Sequence, residues 1–229
     1  MKYLFIYALL IPKILLSADC PSWNVAGFNL ESKLCFASGG TAWVYNHPKN
    51  PERIIKVFGL GYKEVFVDEL LFSDILKKEN IPTLKALSHT NLNTNENSLG
   101  QSSWYIEKIK LESTMSQYCK DEATFQRIPN LKGLIDVISK IKMSNWKSIT
   151  PNKRNKNDKL MGKLITDWHI ENFMHDKKKN WYLIDFQIHD IKEYLSINQK
   201  KSYDFNLELQ NEIFELCPVS KNSILKVIK

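Results

Sequence analysis

The chain has 229 residues, 43% of them hydrophobic and 25% charged, which supplies a substantial core and is the balance of an ordinary folded protein rather than a disordered one. That length bounds it to a single domain, or one domain of two small lobes. Its net charge of +7 favours anionic partners (nucleotide, nucleic acid, membrane surface or acidic protein), although runs such as "PNKRNKNDK" and "DKKKN" read as solvated loops.

In chain order, the opening "MKYLFIYALLIPKILLSADC" has a basic start, an apolar run and small residues at Ser17 and Ala18, the pattern of a secretory signal over residues 1–18. Pro12 and Lys13 interrupt the run and argue against a stable transmembrane helix of about 20 residues. Cys20, Cys35, Cys119 and Cys217 lack the close spacing of a zinc site; in an exported chain they leave room for one or two bridges, which spacing does not assign.

From Asn29 to Phe58 the text reads as strands: "LESKLCFASGG", "TAWVYN", a turn at "HPKNP", then "RIIKVF". The stretch "YKEVFVDELLFSDILKKEN" places Val65, Leu70, Phe72, Ile75 and Leu76 near helical spacing, and Pro82 ends it. Next come a polar loop, "SHTNLNTNENSLGQ", and a strand, "SSWYIEKIKL". In "IPNLKGLIDVISKIKM", Leu131, Leu134, Ile135, Ile138 and Ile141 share one helix face. After a basic loop at 151–159, "KLITDW" and "WYLIDF" read as short strands around a loop, a small hairpin carrying acids; "YDFNLELQNEIFELC" reads as helical. No repeat or long heptad pattern occurs. This order predicts an α+β chain of two lobes with a cleft between them.

Phosphoryl transfer needs a backbone cradle and a cation for phosphates, an acid to orient the attacking hydroxyl, and oxygen ligands for magnesium. "ASGGTAWVY" offers Ala37, Ser38, Gly39 and Gly40 between two strands, where backbone N–H groups can approach phosphate oxygens; a Gly-Gly pair alone is also an ordinary hairpin turn. Lys56 in "RIIKVF" is a lone cation in an apolar strand, followed by a helix bearing Glu64, Asp68 and Glu69. Asp167 and Asn172 are five positions apart, and Asp185 lies thirteen further on. Asn172 and Asp185 suit a hard cation that takes its other ligands from nucleotide phosphates, which leaves Asp167 to position or deprotonate an acceptor hydroxyl. Any one of them alone is a cap or turn residue. Their joint spacing within apolar strands is what points to chemistry.

These motifs, in this order, resemble the protein-kinase-like superfamily: a glycine loop, a strand lysine, a helix glutamate, an Asp-x-x-x-x-Asn loop and an Asp-Phe-Gly motif. Here they are "ASGGTAWVY", Lys56, Glu69, "DWHIEN" and "DFQ". The compactness and the "SGGTAWVY" stretch are most similar to the small bacterial effector kinases of the OspG and NleH type. The resemblance implies a minimal kinase-like domain over residues 19–229, with a β-rich N-lobe of about 25–110 and a reduced helical C-lobe of about 111–229. By the same resemblance Ser38, Gly39, Gly40 and Lys56 hold ATP phosphates, Glu69 pairs with Lys56, and Asp167 orients the acceptor. Asn172 and Asp185 bind Mg2+, and "WYIEKI", with Glu107 and Ile109, is the adenine hinge. The implied activity is ATP-dependent transfer to serine or threonine of a partner or host protein, by a monomeric chain that is secreted and acts in host cytosol, with an activating partner and no nucleic acid.

Departures from the family pattern are Ala37 in place of the first loop glycine, Gln187 after Asp-Phe, "ITD" in place of His-Arg-Asp, and no Ala-Pro-Glu. They imply a kinase that is preformed or partner-activated, not one switched by activation-segment phosphorylation. Asp-x-His-x-x-Asn, through His169, also resembles aminoglycoside and choline phosphotransferases, so a small-molecule kinase is one alternative. A pseudokinase binding module is another.

Overall fold

The computed structural model describes residues 20–25, 27–59, 61–90, 104–149, 162–198, 200 and 202–228. The candidate signal at 1–18, most of the polar loop after His89 and the basic loop at 151–159 lie outside the described residues. The chain is α+β, with several antiparallel sheets.

A small hairpin, β1 (Trp23–Val25) and β2 (Phe28–Leu30), precedes the strands read from sequence and turns through Gly27 at φ +77°. A disulfide joins Cys20 to Cys35. β3 (Cys35–Ser38), β4 (Ala42–Asn46) and β5 (Arg53–Phe58) then form a meander. It continues, after α1 (Lys63–Lys78) and a short β6 (Ser88–His89), into β7 (Trp104–Ile109). The resulting sheet has the order β3-β4-β5-β7-β6. Period-two alternation divides its residues between two faces. Tyr45, Ile55 and Val57 pack with Val25 and Leu30 on one face, while Ala42, Phe58, Trp104 and Ile106 pack with Phe66 of α1 on the other.

α1 serves two cores at once. Its first half places Phe66 against the sheet and its second half places Ile75 and Leu76 among the helices that follow. The spacing assigned Val65 to the apolar face; Val65 is exposed and Phe66 is buried, because the sheet contact lies one residue round the helix. Past Pro82, whose carbonyl accepts from Leu183 N–H, Thr83 bridges to Leu183 and its hydroxyl donates to the Leu183 carbonyl.

The remainder combines helices with short strands around a large apolar cluster. β8 (Ser113–Thr114) leads to α2 (Glu122–Phe125), capped by the Asp121 carboxylate, and to α3 (Leu131–Ile149). α3 buries Leu134, Ile135, Ile138 and Ile141 as its periodicity predicts, leaves Leu131 half-buried against the same cluster, and adds Val137 and also Asn145, which bonds both N–H and C=O of Ile165. Four short strands follow: β9 (Lys163–Thr166), β10 (Phe173–His175), β11 (Trp181–Leu183) and β12 (Gln187–Asp190). "KLIT" and "WYL" are not partners in one hairpin: β9 pairs with β12, and β11 with β10. Both strands are too short to specify a partner locally, so tertiary packing chooses it.

The C-terminal run contains α4 (Ile191–Ile197), α5 (Phe205–Leu209), a π-helical turn at Gln210–Phe214, and α6 (Lys221–Ile228). The single helix expected over "YDFNLELQNEIFELC" therefore changes pitch midway. A second disulfide, Cys119–Cys217, ties the segment before α2 to this corner. Among the described residues no helix is long and apolar enough to cross a membrane.

Candidate active site

Lys56 stands mid-strand on β5, between Val44 and Ile106 of the neighbouring strands, on the sheet face that α1 covers. Its ammonium lies 2.9 Å from Glu69 Oε2 and 2.6 Å from Asp185 Oδ1, the latter 129 residues away in sequence. Of the four acids on α1 (Glu64, Asp68, Glu69 and Asp74), the partner is Glu69. Asp68 lines the same cleft without pairing with Lys56. The other oxygen of Glu69 is taken by Lys108 on β7, a residue the sequence reading left out. The strand register places it there: Lys108 lies two positions from Ile106, the cross-strand partner of Lys56, so alternation puts it on the same face.

Electrostatics follow from that row. Burial opposes ionisation of Glu69, but Lys108 and then Lys56 outweigh it and hold the carboxyl down to about 2. Burial likewise opposes the charged form of Lys56, and Glu69 and Asp185 overcome it, keeping its ammonium protonated well above the ordinary lysine range. The Asp185 side chain is 54% exposed against 16% for Lys56, so the row opens to solvent at its aspartate end.

The loop "DWHIEN" alternates between core and cleft. Trp168, stacked on Phe205 at 5.2 Å, and Ile170 are buried, which leaves Asp167, His169 and Glu171 pointing outward between these anchors. Asn172 is buried, and its Nδ2 donates to the backbone carbonyls of Asp167 at 2.6 Å and Asp185 at 3.1 Å. One side chain thus fastens the two acid-bearing segments together. The β9–β12 ladder, with Thr166 opposite Gln187, fastens them from the other side. Asp167 and Asp185 both have positive φ, +57° and +47°. Left-handed backbone is uncommon for residues with a Cβ, and strain of this kind gathers at functional sites.

Burial lifts the Asp167 carboxyl above the ordinary aspartate value; His169 pulls it the other way and Asp185 adds to the rise. His169 Nε2 is 3.6 Å from Asp167 Oδ1, while its Nδ1 accepts from Glu171 N–H. A neutral ring accepting at Nδ1 carries its proton on Nε2, on the side facing Asp167.

Lys56, Asp68, Glu69, Lys108, Asp167 and Asp185 line one cleft of about 710 Å3, together with Ala37 to Ala42, Val44, Phe72, Leu84 and Phe186. The size is that of a small-molecule site. Gly39 N–H donates to the Ala42 carbonyl to close the β3–β4 turn. Neither Gly39 nor Gly40 has positive φ, and a Cβ would enter open space at Gly40 and meet only the Ala42 carbonyl at 3.9 Å at Gly39. Among the described residues no contact calls for glycine at either position.

Among the described residues no three His, Cys, Asp or Glu side chains are placed to hold a metal alone. The oxygen donors Asn172 Oδ1, which takes no hydrogen bond among the described residues, and the exposed Asp185 carboxylate fit a hard cation that completes its shell with phosphate and water.

Two expected site residues are elsewhere. "WYIEKI" is the interior strand β7, paired on one edge with β5 and on the other with β6. Glu107 and Ile109 alternate to the face away from Lys56. The Glu107 carboxylate is bound by Arg53 at 2.7 Å and Ser88 at 2.7 Å, and its carbonyl by Leu87 N–H. The structure does not bring Glu107 and Ile109 to the cleft. No protein-family model and no curated protein matches this chain.

Proposed function

We propose that the chain is an ATP- and magnesium-dependent protein kinase, acting on serine or threonine of a partner protein, with a two-lobed kinase-like arrangement. In this reading the five-stranded sheet with α1 is the β-rich lobe and the helices from α2 onward are a reduced second lobe. The single observation that carries it is the meeting of Lys56 with both Glu69 and Asp185, beside Asp167 and under the Gly39–Gly40 turn, in one cleft.

The chain's own residues divide the work as follows. With the Gly39 N–H already donated to the Ala42 carbonyl, the Gly40 N–H at the turn is the backbone donor offered to the phosphates, and Lys56 offers its ammonium to their oxygens. Glu69 keeps that ammonium in place. Asp167 accepts a hydrogen bond from the acceptor hydroxyl, orienting it for in-line attack and taking its proton as the new O–P bond forms and the bond from the γ-phosphorus to the β–γ bridging oxygen breaks, with ADP leaving. Magnesium, held by Asn172 and Asp185, would neutralise the phosphate charge. The four-residue β12, paired to β9, takes the place of a long segment after Asp-Phe. That pairing favours a preformed site.

His169 beside Asp167 favours a second reading, transfer to a small hydroxylated metabolite. The two disulfides favour maturation in an oxidising compartment, which suits an exported chain and an acceptor met outside the reducing cytosol.

Transfer of labelled phosphate from ATP with magnesium, offered to the chain itself, to proteins and to a metabolite panel, tests these readings. Label on protein, abolished by Asp167→Ala and by Asp185→Ala, is the expected result. Label on metabolites alone moves the assignment to the small-molecule class, and nucleotide binding without transfer moves it to a binding module.

A further inference from the structure

Lys108 has no part in the roles above, yet it is as enclosed as the residues that do. Its side chain is 11% exposed, Glu69 is 14% exposed, and the pair forms a wall shared by the main cleft and a smaller cavity of about 360 Å3 behind α1. A buried lysine aimed at a carboxylate already satisfied by another lysine needs a reason, since each buried ammonium carries a desolvation penalty.

The charge count supplies one. With Lys56, Glu69 and Asp185 alone, one cation faces two carboxylates. Once Asp185 is engaged elsewhere, Glu69 is the remaining carboxylate on Lys56, and a second free oxygen would let it clamp the ammonium that the phosphates need. Lys108 occupies the Glu69 oxygen that Lys56 does not use. Glu69 is then held at both oxygens and cannot rotate to clamp Lys56 twice.

We propose that Lys108 is a positioning residue for nucleotide binding: by holding the second oxygen of Glu69 it fixes that carboxylate and leaves the Lys56 ammonium available to the phosphates. This rests on the kinase reading. It acts through Glu69, not by touching the nucleotide, and that distinction can be measured.

The experiment is calorimetric titration of the full chain with ATP and magnesium, for wild type, Lys108→Met, Lys108→Arg, Glu69→Gln and the double variant Glu69→Gln/Lys108→Met, with thermal melting of each and NMR titration of the Glu69 carboxyl. Lys108→Met should weaken nucleotide binding about tenfold, and Lys108→Arg should stay within about threefold of wild type, because the guanidinium preserves the charge-assisted contact. In the Glu69→Gln background the Lys108→Met change should shrink below about twofold, since a residue acting through another loses its effect when that other is gone. The Glu69 carboxyl should titrate at higher pH in Lys108→Met. Undiminished binding by Lys108→Met overturns the proposal, as does an equal loss with and without Glu69, which would mean direct contact. Should Lys108→Met fail to fold, Lys108→Gln takes its place in the same comparison. Absence of nucleotide binding by wild type overturns the kinase reading and this proposal with it; binding by wild type that Lys56→Met abolishes and Lys108→Met leaves intact overturns this proposal alone.

Discussion

At the scale of single residues, the Lys56–Glu69–Lys108 row makes unequal demands on its members. Removing Lys56 as Lys56→Met leaves Glu69 partnered by Lys108, so the fold should hold while phosphate transfer falls by about 100-fold or more. Glu69→Gln instead leaves two enclosed ammonium groups facing each other. It should lower stability by about 3 kcal/mol, the scale of stripping one partner from a buried charge cluster, as read by urea unfolding of both variants. The pH dependence has a definite sign: Glu69 is held down to about 2, so its contribution is complete above the ordinary glutamate range and is lost as pH falls through that range towards 2.

Asp167 titrates in the opposite sense. Its carboxyl is raised, chiefly by burial, and only the ionised form can take a proton, so the acid limb of the rate profile should lie above the ordinary aspartate value. His169 lowers that carboxyl, so His169→Gln should move the limb to higher pH; a limb that stays put would remove His169 from the site's electrostatics. Asp167→Asn should reduce turnover by about 100- to 10,000-fold with the melting temperature nearly unchanged. These acids were legible in sequence because each is a polar residue at fixed spacing inside apolar text. Lys108 was missed because a lysine in a strand reads as a surface residue until the strand's neighbours are known.

At the scale of elements, helices were the more legible class because their apolar faces repeat over several turns, as in α3. The start of α3 also shows where composition misleads. Gly133 looks like a weak point in a helix, but a Cβ there would come within 2.4 Å of Asn130 Nδ2. The Asn130 side chain accepts from Gly133 N–H and donates to the Lys179 carbonyl, tying the helix to the β10–β11 turn. Gly133→Ala should therefore destabilise by about 1 kcal/mol, a melting shift of about 2–4 °C, because the lost bonds outweigh alanine's better helix propensity. The short strands were legible as strands but not as pairs: three or four residues carry a period of two and no address for a partner.

At the scale of the whole molecule, the two disulfides divide the stabilisation unequally. Cys119 and Cys217 are 98 positions apart and Cys20 and Cys35 only 15. On loop-closure grounds the longer bridge stabilises by about 4–5 kcal/mol and the shorter by about 3. Urea unfolding of Cys119→Ala/Cys217→Ala should accordingly show a larger loss than Cys20→Ala/Cys35→Ala. Equal losses would mean that native contacts, not chain entropy, set the difference. The longer bridge closes the helical cluster at the corner where Ile213, Phe214 and Ile224 are buried.

By itself the amino-acid sequence determined the α+β class, the helices α1 and α3, the meander around Lys56, and the candidate acids Asp167, Asn172 and Asp185, since all of these are written in local period and residue type. Only the tertiary structure decided that Glu69 and not Asp68 meets Lys56, that Lys108 joins them, that Glu107 turns away, and which cysteines bond. Those outcomes depend on which face of an element meets which neighbour. A shift of one residue on a strand, or about 100° on a helix, changes that face while leaving the local pattern untouched.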